Sequence, residues 1–153
     1  MQTEIIRVTK AFTFDMAHAL YDYEGPCKNI HGHTYTLEVT VLGSPEVAVS
    51  GKSAGMVVDF GVLKSIVHEL IIKSYDHALV LNTHIPASLR ACAFALTEKV
   101  IFTPFQPTCE NLLLSIKNDL DPALQAKGLS LFSVKLFETP TSWAAWYVRD
   151  AAD

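Results

Sequence analysis

Along HTYTLEVTVLG (33–43) the side chains alternate, with Tyr35, Leu37, Val39 and Val41 on one parity and Thr34, Thr36, Glu38 and Thr40 on the other. Strict period-two alternation marks a strand with one buried face. EIIRVTKAFTF (4–14), rich in β-branched and aromatic side chains, predicts a strand ahead of it. The turn-rich SPEVAVSGKSAG follows, and the period then changes. Val62, Leu63, Ile66, Val67 and Leu70 recur at helical spacing in FGVLKSIVHELIIKSY, with Asp59 placed to cap the helix start. Thr108 is placed to cap a second helix, CENLLLSIKNDL, expected to stop near Pro122. Between the two, LRACAFALTEK predicts a short helix and KVIFT a short strand, bounded by Pro86, Pro104 and Pro107. LSLFSVKLFET and SWAAWYVRD, separated by Pro-Thr, predict an antiparallel hairpin. The order β, β, α, α, β, β, with a short extra strand between the helices, predicts an α+β fold with helices on one face of an antiparallel sheet. No linker, repeat or low-complexity tract interrupts it, so residues 1–153 are expected to form a single domain.

Composition narrows the function classes. Half of the residues are hydrophobic and 18% are charged, as in a globular protein. The formal net charge is −4, and the 12 Lys and Arg residues form no run that could track a phosphate backbone, so no nucleic-acid partner is expected. No apolar stretch reaches the roughly 18 residues of a membrane-spanning helix, and MQTEIIRVTK lacks the apolar region of a signal peptide. A soluble, cytoplasmic protein without a membrane partner is the expectation. Three cysteines at irregular positions (Cys27, Cys92, Cys109) make no disulfide framework.

Chemistry concentrates in CKNIHGH (27–33). His31 and His33 stand two apart at the start of a strand, which points both imidazoles to the same face, where they could share a cation. His18 in FDMAHAL follows directly on the first strand, the expected neighbour of the second, and offers a third nitrogen. Three imidazoles with an open fourth position is the pattern of catalytic zinc; four closed ligands is that of structural zinc. Cys27 fits either case, as the fourth ligand of a zinc-stapled, noncatalytic binding module or as a thiolate base or nucleophile beside the cation. Asp76 and His77 in SYDHALVLN read either as a carboxylate orienting an imidazole or as a solvated turn at a helix end. Phe132, Val134, Leu136 and Glu138 share one parity, so an apolar strand face ends in a carboxylate. Such a group reads either as a strand-end Glu in water or as an acceptor for the paired N–H groups of an aminopyrimidine edge. Glu110 is placed in the first turn of the second helix.

FDMAH, CKNIHGHTY, GMVVDFGVLK, YDHALVLN, PTCENL and FETPTSWAAWY together resemble, in order and rough spacing over nearly the whole chain, the 6-pyruvoyltetrahydropterin synthase / 6-carboxytetrahydropterin synthase family. The resemblance implies the tunnelling fold: a four-stranded antiparallel sheet with two helices packed on one face, assembled into a homo-oligomeric trimer or hexamer with active sites between subunits. It implies that His18, His31 and His33 hold zinc and that Cys27 is the catalytic thiol. It further implies that Asp76 and His77 act with that thiol in proton transfer and that Glu138 anchors the pterin ring. The implied substrate is 7,8-dihydroneopterin triphosphate. One branch eliminates triphosphate to give 6-pyruvoyltetrahydropterin. The other also loses acetaldehyde to give 6-carboxytetrahydropterin, a precursor of queuosine and other 7-deazapurines, and ETPTSWAAWY looks more like that branch. Cys27 argues against a third branch, which carries Glu there. Two departures stand out: Asn82 to Pro107 is long, and Met16 occupies a position that is often small. Lys28 is near the site in sequence, whereas Arg7, Lys10 and Arg149 are unplaced as triphosphate ligands.

Overall fold

A computed structural model describes residues 4–48 and 50–150. Residues 1–3, 49 and 151–153, which the single-domain reading and its turn-rich connection take in, lie outside the described residues. Strands β1 (Ile6–His18) and β2 (His31–Gly43) form a long antiparallel ladder running from Ile6 opposite Gly43 to His18 opposite His31. Both are longer than the sequence predicts, and the difference falls at the histidine end. His18 closes β1 instead of following it, and His31 opens β2.

The alternating faces behave as expected. Tyr35, Leu37, Val39 and Val41 are fully buried, beside Phe14 and Met16 of β1. Against this face packs a continuous helical run: α1 (Phe60–Val67), a π-helical turn (His68–Ile72) and a last turn, α2 (Lys73–Tyr75). Asp59 caps its start through a 2.7 Å bond from the Gly61 N–H. The buried positions are Leu63, Val67, Ile71 and Tyr75, four apart throughout, while Val62 and Leu70 are exposed. For Leu70 the π turn is the reason. Its wider winding rotates the end of the run, so the regular helical spacing that places Leu70 inward fails there.

Strand β3 (Ala78–Asn82), absent from the sequence reading, follows directly. Helix α3 (Ala87–Leu96) and β4 (Val100–Thr103) occupy the predicted short helix and short strand. Helix α4 (Cys109–Gln125) starts at its Thr108 cap but continues through Pro122, with Leu120 and Leu124 both buried to hold the final turn. The hairpin is β5 (Ser130–Thr139) and β6 (Ser142–Tyr147).

The sheet has six strands in the order β4-β3-β1-β2-β5-β6, which corrects the expected four-stranded antiparallel sheet. Strands β1, β2, β5 and β6 pair antiparallel, as expected, but β3 pairs parallel to β1 and β4 parallel to β3. Parallel neighbours require a crossover, and α3 supplies the one between β3 and β4. The helices correct the expectation too. Ala78 and Val80 face the main core with α1 and α4, whereas Leu79 and Leu81 pack with Ala93 of α3 in a second cluster. Helices therefore cover both faces at this end of the sheet, and all five residues of β3 are buried. An unbroken apolar run is what a strand covered on both sides needs.

Candidate active site

The β1–β2 register brings the three predicted histidines to one corner. His18 lies opposite His31, and His33 follows on the same face of β2, above Tyr35. Ring centroids are 4.5 Å apart for His18 and His31, 5.3 Å for His18 and His33 and 5.1 Å for His31 and His33. One nitrogen from each ring falls in a group whose members all lie within 4.8 Å of one another.

The backbone decides which nitrogens face inward. His18 Nδ1 donates to the Pro107 carbonyl at 2.7 Å, and His31 Nδ1 to the Asn29 carbonyl at 2.8 Å. With both Nδ1 atoms protonated, neutral rings aim bare Nε2 lone pairs at each other across 3.1 Å. His33 Nε2 is buried without a hydrogen-bond partner. Burial holds the His18 imidazole below its ordinary pKa, reinforced by His31 and His33 and opposed by the Pro107 bond and Glu138. Two facing lone pairs and a third, unpartnered ring nitrogen fit a metal ion, and carbonyls that fix the outer ring nitrogens, as for His18 and His31, are the usual support of such ligands.

Glu138 joins this corner. Its Oε1 lies 3.6 Å from His18 Nε2 and 3.9 Å from His33 Nε2 and accepts from the Tyr35 hydroxyl at 3.2 Å. Burial, followed by the Glu138 charge, pushes the Tyr35 phenol well above its usual range, so it stays a donor. The strand-end Glu is thus half-buried and engaged. Cys27 sits in a 3-10 turn, Pro26–Lys28, tied back by the Leu20 N–H to its carbonyl at 2.9 Å. Its thiol is near enough to count among the groups that raise Tyr35, yet it lies outside the group of converging nitrogens. Cys109 differs: desolvation pushes its thiol up to about 11, and it donates to the Leu136 carbonyl at 3.2 Å.

Asp76 and His77 do form a pair, with Asp76 Oδ1 3.0 Å from His77 Nδ1. The backbone N–H of Asp15 donates to the same oxygen at 3.0 Å and leads the causes that hold the Asp76 carboxyl below its usual range. His77 has a φ of 61°, uncommon for a residue with a side chain. It borders a cleft of about 590 Å³ lined also by Asp15, His33, Thr34, Leu79 and Leu96. Asp15, Ala17, Gly32 and Thr34 are the β1 and β2 positions of opposite parity to the histidines. The pair therefore borders the sheet face opposite that of the three imidazoles, and among the described residues no hydrogen bond joins it to Cys27. Arg7 and Arg149 border a groove at the far end of the sheet, with the Arg7 guanidinium 4.1 Å from the Phe132 ring centroid. Glu110 is exposed in the first turn of α4, as expected.

Sequence reasoning missed Tyr35, read there only as core. The available signal was its place two residues after His33 on the ligand-bearing parity, where an aromatic with a hydroxyl meets polar company. The carbonyls of Asn29 and Pro107 left no such signal, because any residue carries one.

The family model described as 6-pyruvoyl tetrahydropterin synthase matches residues 7–148. A 6-carboxy-5,6,7,8-tetrahydropterin synthase of Haemophilus influenzae is 37% identical over 144 residues, covering 93% of this chain and 99% of that one. The protein of that name from Rickettsia bellii is 31% identical, covering 89% and 96%. Among solved structures, the 6-pyruvoyl tetrahydropterin synthase of Caenorhabditis elegans is 22% identical, covers 96% of this chain and 98% of its own, and superposes with a TM-score of 0.68. An uncharacterized Wolinella succinogenes protein, 20% identical, covers 95% and 99% with a TM-score of 0.77. With the match spanning nearly every element described above, the chain is an enzyme of the 6-pyruvoyl tetrahydropterin synthase family.

Proposed function

We propose that this enzyme is a zinc-dependent lyase that converts 7,8-dihydroneopterin triphosphate to 6-carboxy-5,6,7,8-tetrahydropterin, releasing triphosphate and acetaldehyde, on the route to queuosine and related 7-deazapurines. The observation that carries this reading is the corner where one nitrogen from each of three imidazoles converges, in a chain aligned with 99% of a relative named for that product. His18, His31 and His33 hold the metal, which when bound supplies Lewis acidity toward the substrate's side-chain hydroxyls. Cys27, half-exposed in its turn, moves a carbon-bound proton. His77, oriented by Asp76, handles a second proton.

Glu138 Oε1 is engaged by Tyr35, and its other oxygen is the one offered to the aminopyrimidine edge. In this reading Glu138→Gln weakens pterin binding. If Glu110→Gln weakens it instead, the anchoring carboxylate is the one at the start of α4. Because the three imidazoles and the Asp-His pair stand on opposite faces of one chain's sheet, the working unit in this reading is a cytoplasmic homo-oligomer of this single domain, a trimer or hexamer, in which one copy completes another's site.

The test is the product of zinc-loaded protein with 7,8-dihydroneopterin triphosphate. Mass spectrometry showing 6-carboxytetrahydropterin together with acetaldehyde supports the proposal. A second reading, supported by the description of the matching family model, is triphosphate elimination alone. It predicts 6-pyruvoyltetrahydropterin without acetaldehyde.

A further inference from the structure

His77 occupies the left-handed region at φ 61°, a conformation that is unfavourable for a residue with a Cβ and persists only where its surroundings enforce it. One strand and one side chain supply that enforcement. From β1, the Asp15 carbonyl accepts the His77 N–H at 2.6 Å and the Asp15 N–H donates to Asp76 Oδ1 at 3.0 Å. From the residue just ahead of β4, Lys99 Nζ donates to the Asp76 carbonyl at 2.5 Å and to the Lys73 carbonyl at 2.9 Å. The Asp76 carbonyl belongs to the peptide whose nitrogen is His77 N. Lys99 and Asp15 therefore grip opposite ends of one peptide unit, the one that sets the direction of the imidazole.

Lys99 is partly buried, and its own carbonyl accepts the Leu79 N–H at 2.9 Å, so its backbone is fixed to β3 immediately beyond His77. The α3 crossover thus does two things at one place. It walls the cleft with Leu96 and Thr97 and delivers an ammonium to the histidine that borders it.

We propose that Lys99 is a positioning residue for His77, acting through the Asp76–His77 peptide and not by contact with substrate. This rests on the reading above that the Asp-His pair takes part in proton transfer. A group that fixes a proton-transfer partner affects the chemical step more than substrate binding, because misplacement by about 1 Å can cost on the order of 100-fold in rate.

The experiment is a double-mutant cycle on zinc-loaded protein, with Lys99→Met, Lys99→Arg, His77→Asn and the Lys99→Met/His77→Asn pair, read with 7,8-dihydroneopterin triphosphate. Lys99→Met is expected to lower kcat by about 10- to 100-fold with KM and bound zinc unchanged. Lys99→Arg, which keeps a cationic donor, is expected to recover part of that loss. In the His77→Asn background the Lys99 change is expected to cost nothing further, since there is no imidazole left to position. Equal losses in both backgrounds, or an unchanged kcat in Lys99→Met, overturn the proposal.

A second measurement separates it from the reading it rests on. Amide hydrogen exchange at His77 in Lys99→Gln is expected to speed up more than tenfold while β1–β2 amides keep their protection. If exchange speeds up in this way but His77→Asn retains full turnover, the proton-transfer reading of the pair fails and Lys99's hold on the peptide stands. If exchange is unchanged, Lys99 holds nothing and the positioning proposal falls regardless of turnover.

Discussion

The two thiols nearest the histidine corner differ in what surrounds them. Cys109 is desolvated and donates to a carbonyl, whereas Cys27 stays half-exposed in its turn. Cys27→Ala is expected to keep its metal, by elemental analysis, and to lose about 10²–10⁴-fold in turnover; loss of metal in that variant would restore the closed, four-ligand site. His18→Ala is expected to lose metal, because it removes the most buried nitrogen of the three. His18 also sets a pH dependence in the metal-free protein. Its pKa is depressed in the folded chain, so the unfolded chain binds a proton near the ordinary value of 6.5 that the folded chain refuses. Unfolding is then favoured as pH falls through that value, and stability returns as pH rises. Calorimetry of chelated protein should show Tm climbing between about pH 5.5 and 7.5, with a shallower climb in His18→Gln. These histidines were legible in the sequence because strand periodicity fixes a facing direction. Glu138 was legible as a carboxylate on an apolar face, but its bond to Tyr35 spans 103 residues and depends on strand order.

Helix α4 shows how far local signals reach. Its Thr108 cap was readable from residue type and position, and the hydroxyl accepts the Asn111 N–H at 3.3 Å. Thr108→Ala is expected to cost roughly 1 kcal/mol by denaturant unfolding. The helix end was misjudged at Pro122 because burial of Leu124, a tertiary fact, outweighs the proline. Leu120→Ala, which opens a cavity in the main core, is expected to cost about 2–5 kcal/mol. Strand β3 was invisible for a related reason. Five residues, all buried, show no alternation, and Asp76–His77 ahead of them reads as a turn until Asp15 is known to lie beside it.

At the scale of the molecule, the antiparallel half of the sheet followed from alternation and the Pro-Thr turn, while the parallel half needed the long Asn82–Pro107 segment to be understood as a crossover. The placement of the three imidazoles and the Asp-His pair on opposite sheet faces, under the function proposed, predicts that zinc-loaded protein at working concentration runs as a trimer or larger by light scattering; an active monomer would mean that both faces serve one site within a single copy. The π turn at His68–Ile72 gives this helical run one residue to spare. A π turn takes up one residue more than regular α-helix over the same span while the helix on either side keeps its facing. Removing one residue of that turn would let the run wind at regular pitch, with the buried positions spaced alternately four and three apart and Tyr75 and the Asp76 carboxylate left where they are. A helix without such a turn has nothing to give up, and losing one residue inside α4 would rotate everything beyond by about 100°. In a deletion scan selected for activity, one-residue deletions should therefore be tolerated at 68–72, as in the exposed residues 50–53, and eliminated inside α4.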